Sequence, residues 1–197
     1  MKKPKILAVM IIARSGAGKG TVAKVLISFA DIHKEIQLKL SVSDTTRPQK
    51  DGEINGIHYN FISLEEFQRR KEAGYYIETD YYAGNWYGSP HDQFFANKSA
   101  GIITLYDVEA NGAEAIQQSI GKDACLIFRL HVPLKTLDER VLGRNRDTPE
   151  EQGLRKMEDV KRTAKMIELG TPIEYGEDVL ADAAANEMYN AILAANV

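Results

Sequence analysis

The sequence has few of the residues that form disulfide frameworks or metal clusters. Its 197 residues include one cysteine and four histidines. Cys125 stands in the apolar run ACLIF, where a small buried hydrophobe is its simplest role, so we expect no disulfide and a reducing, cytoplasmic setting. The histidines are scattered without metal-ligand spacing, and no serine or cysteine has a base beside it in sequence. Metal-hydrolase and acyl-transfer chemistry are therefore disfavoured.

Long hydrophobic runs and an excess of one charge are also missing. Charged residues make up 27% of the chain and the net charge is −3, which provides no basic stripe for a nucleic-acid backbone. The apolar stretch in residues 5–13 follows basic residues, as in a signal peptide, but it is too short to span a bilayer and runs directly into a glycine-rich loop. We therefore expect a one-domain protein that binds neither membrane nor nucleic acid.

This glycine-rich loop joins the apolar stretch to an amphipathic segment. It reads ARSGAGKGT, residues 13–21. The run before it is typical of a strand buried on both faces, and the segment after it places Val22, Val25 and Leu26 on one helical face. Glycines free consecutive N–H groups to surround phosphate oxygens, the helix dipole attracts anions, and Lys19 adds a positive charge. The pattern predicts a phosphate loop; a flexible glycine turn is the alternative.

Two positions of the loop depart from the pattern G-x-x-x-x-G-K-[ST]. Ala13 replaces the first glycine, and Gly20 replaces the hydroxyl residue that binds Mg²⁺. The sequence Gly-Lys-Gly-Thr resembles the phosphate loop of adenylate kinases, which implies that Thr21 supplies the hydroxyl nearest the metal. The predicted ATP-binding residues are Arg14, Ser15, Gly16, Ala17, Gly18, Lys19, Gly20 and Thr21.

Two further segments carry a family resemblance. Residues 41–61 contain S-x-S-x-T-T-R and then G-E-x-x-G-x-x-Y-x-F, and residues 74–89 read GYYIETDYYAGNWYGS. With the phosphate loop, these motifs resemble guanylate kinases, which phosphorylate GMP from ATP. The match keeps the family's order and spacing from about residue 7 to residue 155.

The resemblance implies roles for residues of both segments. Arg47, Tyr59 and Tyr87 fall on positions that bind the phosphate of GMP. Lys50 replaces a second arginine there, and because lysine is a point charge without a planar fork, we expect weaker phosphate binding. The positions that read the guanine base correspond to Ser43, Glu78 and Ser89.

The chemistry of Glu78 suits guanine. Guanine presents N1–H and a 2-amino group side by side, and a carboxylate accepts from both, whereas adenine presents an acceptor nitrogen at that edge. A buried mismatch of this kind discriminates by orders of magnitude. The alternative is a solvated charge in a turn, but the flanking aromatic residues favour a covered position.

An apolar run ends in an acid at Asp107, as a Walker B strand does. In the sequence DVEANG, Asp107 matches the family and Glu109 replaces a second aspartate. Either acid could lie near Mg²⁺ or near the guanine amino group, so both are assigned to the GMP site, and Asp107 with Thr21 to the metal. For Glu109 the alternative is an acid placed in a helix first turn by the dipole.

An arginine-rich segment, residues 138–157, lies between predicted helices. The resemblance implies that Arg140, Arg144 and Arg155 are lid arginines that close over the ATP phosphates, and with Lys19 they are the predicted catalytic residues. Solvated ion pairs are the alternative.

The C-terminal segment predicts a helix, a strand and a second helix. In the first helix, about residues 150–169, helical spacing of Leu154, Met157, Val160 and Ala164 predicts a buried face. Residues 177–182, EDVLAD, predict the last strand, and residues 183–197 an Ala-rich helix.

The alternation of strands and helices predicts an α/β fold, with helices on both faces of a parallel sheet. The resemblance implies a P-loop kinase core over about residues 1–40, 90–139 and 156–197, a small, mostly-β insert for the nucleoside monophosphate over about 41–89, and the lid over about 140–155. The predicted activity is Mg²⁺-dependent phosphorylation of GMP and dGMP by ATP in purine nucleotide metabolism. The alternatives are a non-catalytic guanylate-kinase-like binding module and a same-fold kinase for another phosphorylated acceptor.

Overall fold

The computed structural model describes residues 3–142, 148–176 and 179–197. Its strands are β1 (Ala8–Ile12), β2 (Leu38–Leu40), β3 (Asp44–Thr45), β4 (Asn60–Phe61), β5 (Tyr76–Tyr82), β6 (Asn85–Pro90), β7 (Ile103–Asp107), β8 (Cys125–His131) and β9 (Thr171–Glu174). Its α-helices are α1 (Lys19–His33), α2 (Leu64–Glu72), α3 (His91–Ala100), α4 (Ala110–Ile120), α5 (Leu134–Leu142), α6 (Pro149–Leu169) and α7 (Ala181–Asn196).

The main sheet is parallel throughout, with the strand order β2-β7-β1-β8-β9. β1 lies at its centre, and all five of its residues are fully buried. Val9 and Ile11 join a core with α1 and α7, while Met10 and Ile12 join a second core with α3, α4 and α6. Successive side chains of a strand point to opposite faces, so an unbroken apolar strand builds both cores. The predicted α/β fold is confirmed.

The second sheet contains β4-β3-β6-β5 in that order. β5 and β6 form an antiparallel hairpin whose turn, Ala83 and Gly84, has positive φ at both residues, as a tight hairpin turn requires. α2 covers this sheet and begins after Ser63, whose Oγ accepts the Glu66 N–H at 3.1 Å and so caps the helix. Phe67 of α2 stacks on the ring of Tyr76 with a centroid distance of 4.8 Å.

The predicted buried face of α6 is wrong. Leu154, Met157 and Val160 are 46%, 54% and 62% exposed, and Ala164 is exposed too. The inward face instead carries Asp159, Arg162 and Met166. Polar partners on β5 and on the phosphate loop bind the first two of these side chains, so this face is buried although it is charged.

The predicted last strand, residues 177–182, is wrong where it is described: Val179 and Leu180 belong to no strand, and α7 already begins at Ala181. Residues 177 and 178 lie outside the described residues. The last strand that the structure describes is β9. β9 follows Gly170 directly and pairs in parallel with β8, with Phe128 opposite Thr171. A Cβ on Gly170 would lie 2.8 Å from that of Arg129, so a glycine is needed where α6 turns into the strand. The predicted C-terminal helix is confirmed as α7.

Among the described residues, no helix combines the length and the apolar character that crossing a membrane would require.

Candidate active site

The phosphate loop connects the carboxyl end of β1 to the amino end of α1. Gly16 and Gly18 have φ values of 86° and 84°, a left-handed conformation that glycine adopts without strain. A Cβ on Gly18 would also lie 3.2 Å from the ring of Tyr175. The loop therefore places bare backbone at the start of a 15-residue helix, the arrangement that binds phosphate groups.

Lys19 is held by two acids at the carboxyl end of β7, Asp107 within the strand and Glu109 after it. Its ammonium lies 2.6 Å from Glu109 Oε1, 3.2 Å from Asp107 Oδ1 and 3.2 Å from the carbonyl oxygen of Val108. Burial alone would lower the pKa of Lys19, but the carboxylates of Glu109 and Asp107 outweigh burial and raise it. Lys19 therefore carries its positive charge throughout the physiological pH range.

Oxygen ligands that suit Mg²⁺ lie beside Lys19. Asp107 is 30% exposed, and its Oδ2 lies 3.9 Å from the place that a Cβ on Gly20 would take. Thr21 is exposed in the first turn of α1. No group of three or more His, Cys, Asp or Glu side chains in the described ranges could hold a metal by itself. Because Mg²⁺ usually binds one or two carboxylates together with substrate phosphates, these residues fit an ion that arrives with a nucleotide.

Arg47 contacts an acid and an aromatic ring, and we call Arg47, Glu53, Tyr59 and Tyr87 the Arg47 cluster. Its guanidinium forms two hydrogen bonds with the Glu53 carboxylate, at 2.8 and 3.1 Å, and lies 5.4 Å from the ring centroid of Tyr59. Tyr59 in turn meets Tyr87 edge to face at 5.9 Å. Lys50 reaches α6, where its ammonium lies 3.3 Å from Glu151 Oε1. The structure thus brings Arg47, Tyr59 and Tyr87 together.

Glu78 is buried in the second sheet opposite Ser89. The Ser89 hydroxyl donates to Glu78 Oε1 at 2.7 Å, and Ser43 Oγ lies 3.4 Å from Ser89 Oγ. Burial raises the pKa of Glu78 to about 7, against the hydrogen bonds from Ser89 that lower it. Gly112 of α4 allows this approach, since a Cβ there would lie 3.1 Å from Glu78 Oε2. A carboxylate and two hydroxyls therefore meet in one polar group.

Tyr59 lies in the electrostatic field of both Lys19 and Arg47. Burial raises the pKa of Tyr59, the charge of Asp107 raises it further, and the positive charges of Lys19 and Arg47 act in the opposite direction. The phenol therefore lies within the electrostatic range of both cations. Asp107, Lys19 and Arg47 thus all act on one phenol.

Two of the three predicted lid arginines lie in described ranges. Arg140 donates to the carbonyl oxygen of Ala17 at 3.3 Å and stacks on the ring of Tyr175 at 4.9 Å. Arg155 of α6 lies 5.8 Å from the ring centroid of Tyr82. Arg144 lies outside the described residues.

Sequence reasoning missed Asp159, which binds the phosphate loop. Asp159 Oδ2 accepts the Ser15 N–H at 2.7 Å, and its Oδ1 accepts the Tyr82 hydroxyl at 2.9 Å. No local motif marks Asp159, because the partners lie 144 and 77 positions away in sequence. The spacing of Asp159, Arg162 and Met166 on one helical face was the available signal, and the apolar stripe on the opposite face concealed it.

Comparisons with known proteins identify the family. A family model described as guanylate kinase matches residues 5–190. Curated guanylate kinases from Agrobacterium fabrum and Streptococcus agalactiae are 38% and 37% identical over 144 residues, which is 73% of this chain and 63% and 66% of theirs. One from Symbiobacterium thermophilum is 34% identical over 148 residues, or 75% of this chain and 67% of its own. The matched region thus spans about two thirds of these relatives' length.

A solved structure shares the fold. The crystal structure of guanylate kinase from Anaplasma phagocytophilum matches with a TM-score of 0.74, covering 100% of this chain and 89% of that chain at 21% identity. With the family model covering most of the sequence, the conclusion is that the chain belongs to the guanylate kinase family.

Proposed function

We propose that this protein transfers the terminal phosphoryl group of ATP to GMP and dGMP. The observation that carries the proposal is Glu78, a buried carboxylate that accepts the Ser89 hydroxyl at 2.7 Å, with the Ser43 hydroxyl 3.4 Å from that of Ser89. Such a carboxylate is costly unless donors satisfy it. The adjacent N1–H and 2-amino groups of guanine are a matching pair of donors.

The acceptor half of the site divides into two parts. Ser43, Glu78 and Ser89 form the part for the base. Arg47, Lys50, Tyr59 and Tyr87 form the part for the phosphate, with two positive charges and two phenols. Glu53 holds the Arg47 fork through two hydrogen bonds, so the guanidinium plane is oriented before a phosphate arrives.

The donor half is built on the phosphate loop, residues 13–21. Phosphoryl transfer needs little covalent chemistry from a protein; it needs two anions held in line and their developing charge neutralised. The loop N–H groups and Lys19 would hold the ATP phosphates, and Arg140, Arg144 and Arg155 would surround the group in transfer. Thr21 and Asp107 would hold Mg²⁺, which neutralises phosphate charge when it is bound. Glu109 would keep the Lys19 ammonium in place.

The chain divides, on this proposal, into a kinase core of about residues 1–40, 90–139 and 156–197, an acceptor insert of about 41–89, and a lid of about 140–155. The second sheet, which spans residues 44–90, supports the bounds of the insert. Closure of insert and lid would exclude water, which otherwise accepts the phosphoryl group. The proposed setting is the cytoplasm and purine nucleotide metabolism, with small nucleotides and not nucleic acids as partners.

A coupled assay of ADP release tests the proposal with GMP, dGMP, AMP, CMP and UMP as acceptors, in the presence of Mg²⁺ and of EDTA. We expect turnover with GMP and dGMP alone, and its loss in EDTA. Glu78→Gln tests the role of the carboxylate. It keeps the shape of the side chain but offers guanine one acceptor where the carboxylate offers two, so turnover with GMP should be lost. AMP as the best acceptor would contradict the role of Glu78. Tight binding of ATP and GMP without turnover would instead identify a binding module.

A further inference from the structure

Asp159 joins three parts of the molecule that are distant in sequence. It lies on α6, is 7% exposed, and binds the Ser15 N–H of the phosphate loop with one oxygen and the Tyr82 hydroxyl of β5 with the other. Both oxygens of a buried carboxylate are thus satisfied by groups outside its own helix. Hydrogen bonds to a charged group are the strong ones in proteins, so this residue fixes the loop relative to β5.

α6 contacts the loop at a second point, one turn further on. The Thr163 hydroxyl donates to the carbonyl oxygen of Asp159 at 2.7 Å and accepts from the Arg14 guanidinium at 3.3 Å. Within the loop, the Ala17 N–H turns back to the carbonyl oxygen of Arg14 at 3.1 Å. The side chain of Arg14 and the backbone N–H of Ser15 are therefore both held from α6.

β5 is docked to α6 by a second pair. The Arg162 guanidinium forms an ion pair with Asp80 and donates to the carbonyl oxygen of Tyr81 at 2.9 Å. Asp80 and Tyr82 therefore hold the end of β5 against α6 through Arg162 and Asp159. The same strand carries Glu78, and it is kept in register with β6 along this length, with Glu78 opposite Ser89 and Asp80 opposite Tyr87.

Asp159 is negatively charged, so its charge alone would not help the site to bind ATP. Burial raises the pKa of Asp159, the Ser15 N–H lowers it, and Glu109 and Lys19 both act on it. The carboxylate therefore lies in the field of the catalytic lysine. A negative charge there repels nucleotide phosphates, so its use must be in the geometry that its two hydrogen bonds impose.

We propose that Asp159 and Tyr82 are positioning residues: Asp159 sets the shape of the phosphate loop, and Tyr82 couples that shape to the strand that reads the acceptor base. The coupling rests on the proposed function. Because of this coupling, GMP bound at Glu78 strengthens the binding of ATP. The effect passes through β5, Tyr82, Asp159 and Ser15. Coupling of this kind between two sites is reciprocal, and typically amounts to about 5-fold to 150-fold.

Calorimetric titration with a non-hydrolysable ATP analogue, with and without saturating GMP, tests the coupling. Tyr82→Phe removes only the hydroxyl, so we expect the affinity for the analogue alone to change by less than about twofold, while the gain produced by GMP falls on the order of tenfold. Tyr81→Phe is the control: it is the neighbouring tyrosine, 53% exposed, and should keep the gain. A gain that survives Tyr82→Phe, or no gain in the wild type, overturns the coupling.

Substitutions of Asp159 test the positioning of the loop with the analogue alone. We expect Asp159→Ala to weaken binding on the order of tenfold, and Asp159→Asn, which retains an acceptor for the Ser15 N–H, to restore it. A carboxylate acting only through its charge predicts the reverse, with tighter binding in both variants, and that result overturns the proposal. Circular dichroism establishes that each variant is folded. If the wild type binds no GMP, the proposed acceptor and the coupling both fail, while the Asp159 comparison still decides the role of the loop contact.

Discussion

Glu78→Gln should stabilise the fold while it abolishes the proposed activity. Burial raises the pKa of Glu78 from 4.5 to about 7, so the native state holds this proton more tightly than the unfolded chain does between those values. The free energy of unfolding therefore falls as the pH rises through that window. At about 1.4 kcal/mol per pKa unit, the cost above pH 7 is about 3 kcal/mol. Glutamine removes that cost because it never ionises.

Urea unfolding followed by the fluorescence of Trp86, the only tryptophan, measures this effect. We expect the variant to exceed the wild type by up to about 3 kcal/mol at about pH 8, and by almost nothing at about pH 4.5. The Ser89 hydroxyl can still donate to the amide oxygen, so the local hydrogen bond is retained. A stability difference that does not change with pH, or a less stable variant at pH 8, would refute the reasoning. Loss of GMP turnover in this more stable variant would show that the Glu78 carboxylate serves GMP binding at the expense of stability.

Three further predictions concern the loop, the acceptor site and the second sheet. Lys19→Met should lower kcat by at least about 100-fold, because the positive charge beside the transferred group is lost; steady-state assays measure it, and near-normal turnover would remove the loop from the mechanism. Arg47→Lys should raise KM for GMP about tenfold and leave KM for ATP unchanged, since the bidentate fork becomes a point charge; equal changes in both constants would contradict this. Gly88→Ala should cost about 1–3 kcal/mol in urea unfolding, because its Cβ would lie 2.9 Å from Tyr76, whereas Gly153→Ala, in a helix with open space around it, should be neutral or stabilising.

Local motifs predicted the phosphate loop and its surroundings well. The sequence around Lys19 contains the strand, the glycines and the helix that together form the loop, so neighbouring residues are sufficient to predict it. The Ser63 cap of α2 is a similar case, since the capping hydroxyl and the N–H that it accepts are three residues apart.

Contacts between distant segments could not be predicted in the same way. The apolar side chains of α6 do recur at helical spacing, but this spacing does not determine which face of the helix packs against the rest of the protein. The face with Asp159 and Arg162 is the buried one, and the apolar face is exposed. β9 was missed because TPIE is short and contains a proline, while EDVLAD has an apolar centre but its last two residues already belong to α7. In both cases the outcome depended on partners far away in sequence, Tyr82 and Asp80 for α6 and Phe128 for β9.

The two cations proposed to meet phosphates already have anionic partners. Arg47 is paired with Glu53, and Lys19 with Glu109 and Asp107. A nucleotide phosphate would therefore meet cations whose charge is already partly neutralised by carboxylates, so fewer counterions are displaced than the number of basic residues suggests. The affinity should consequently depend on ionic strength less steeply than in an open basic cleft. The protein would then select phosphate by shape and bond geometry at salt concentrations that weaken simple charge attraction.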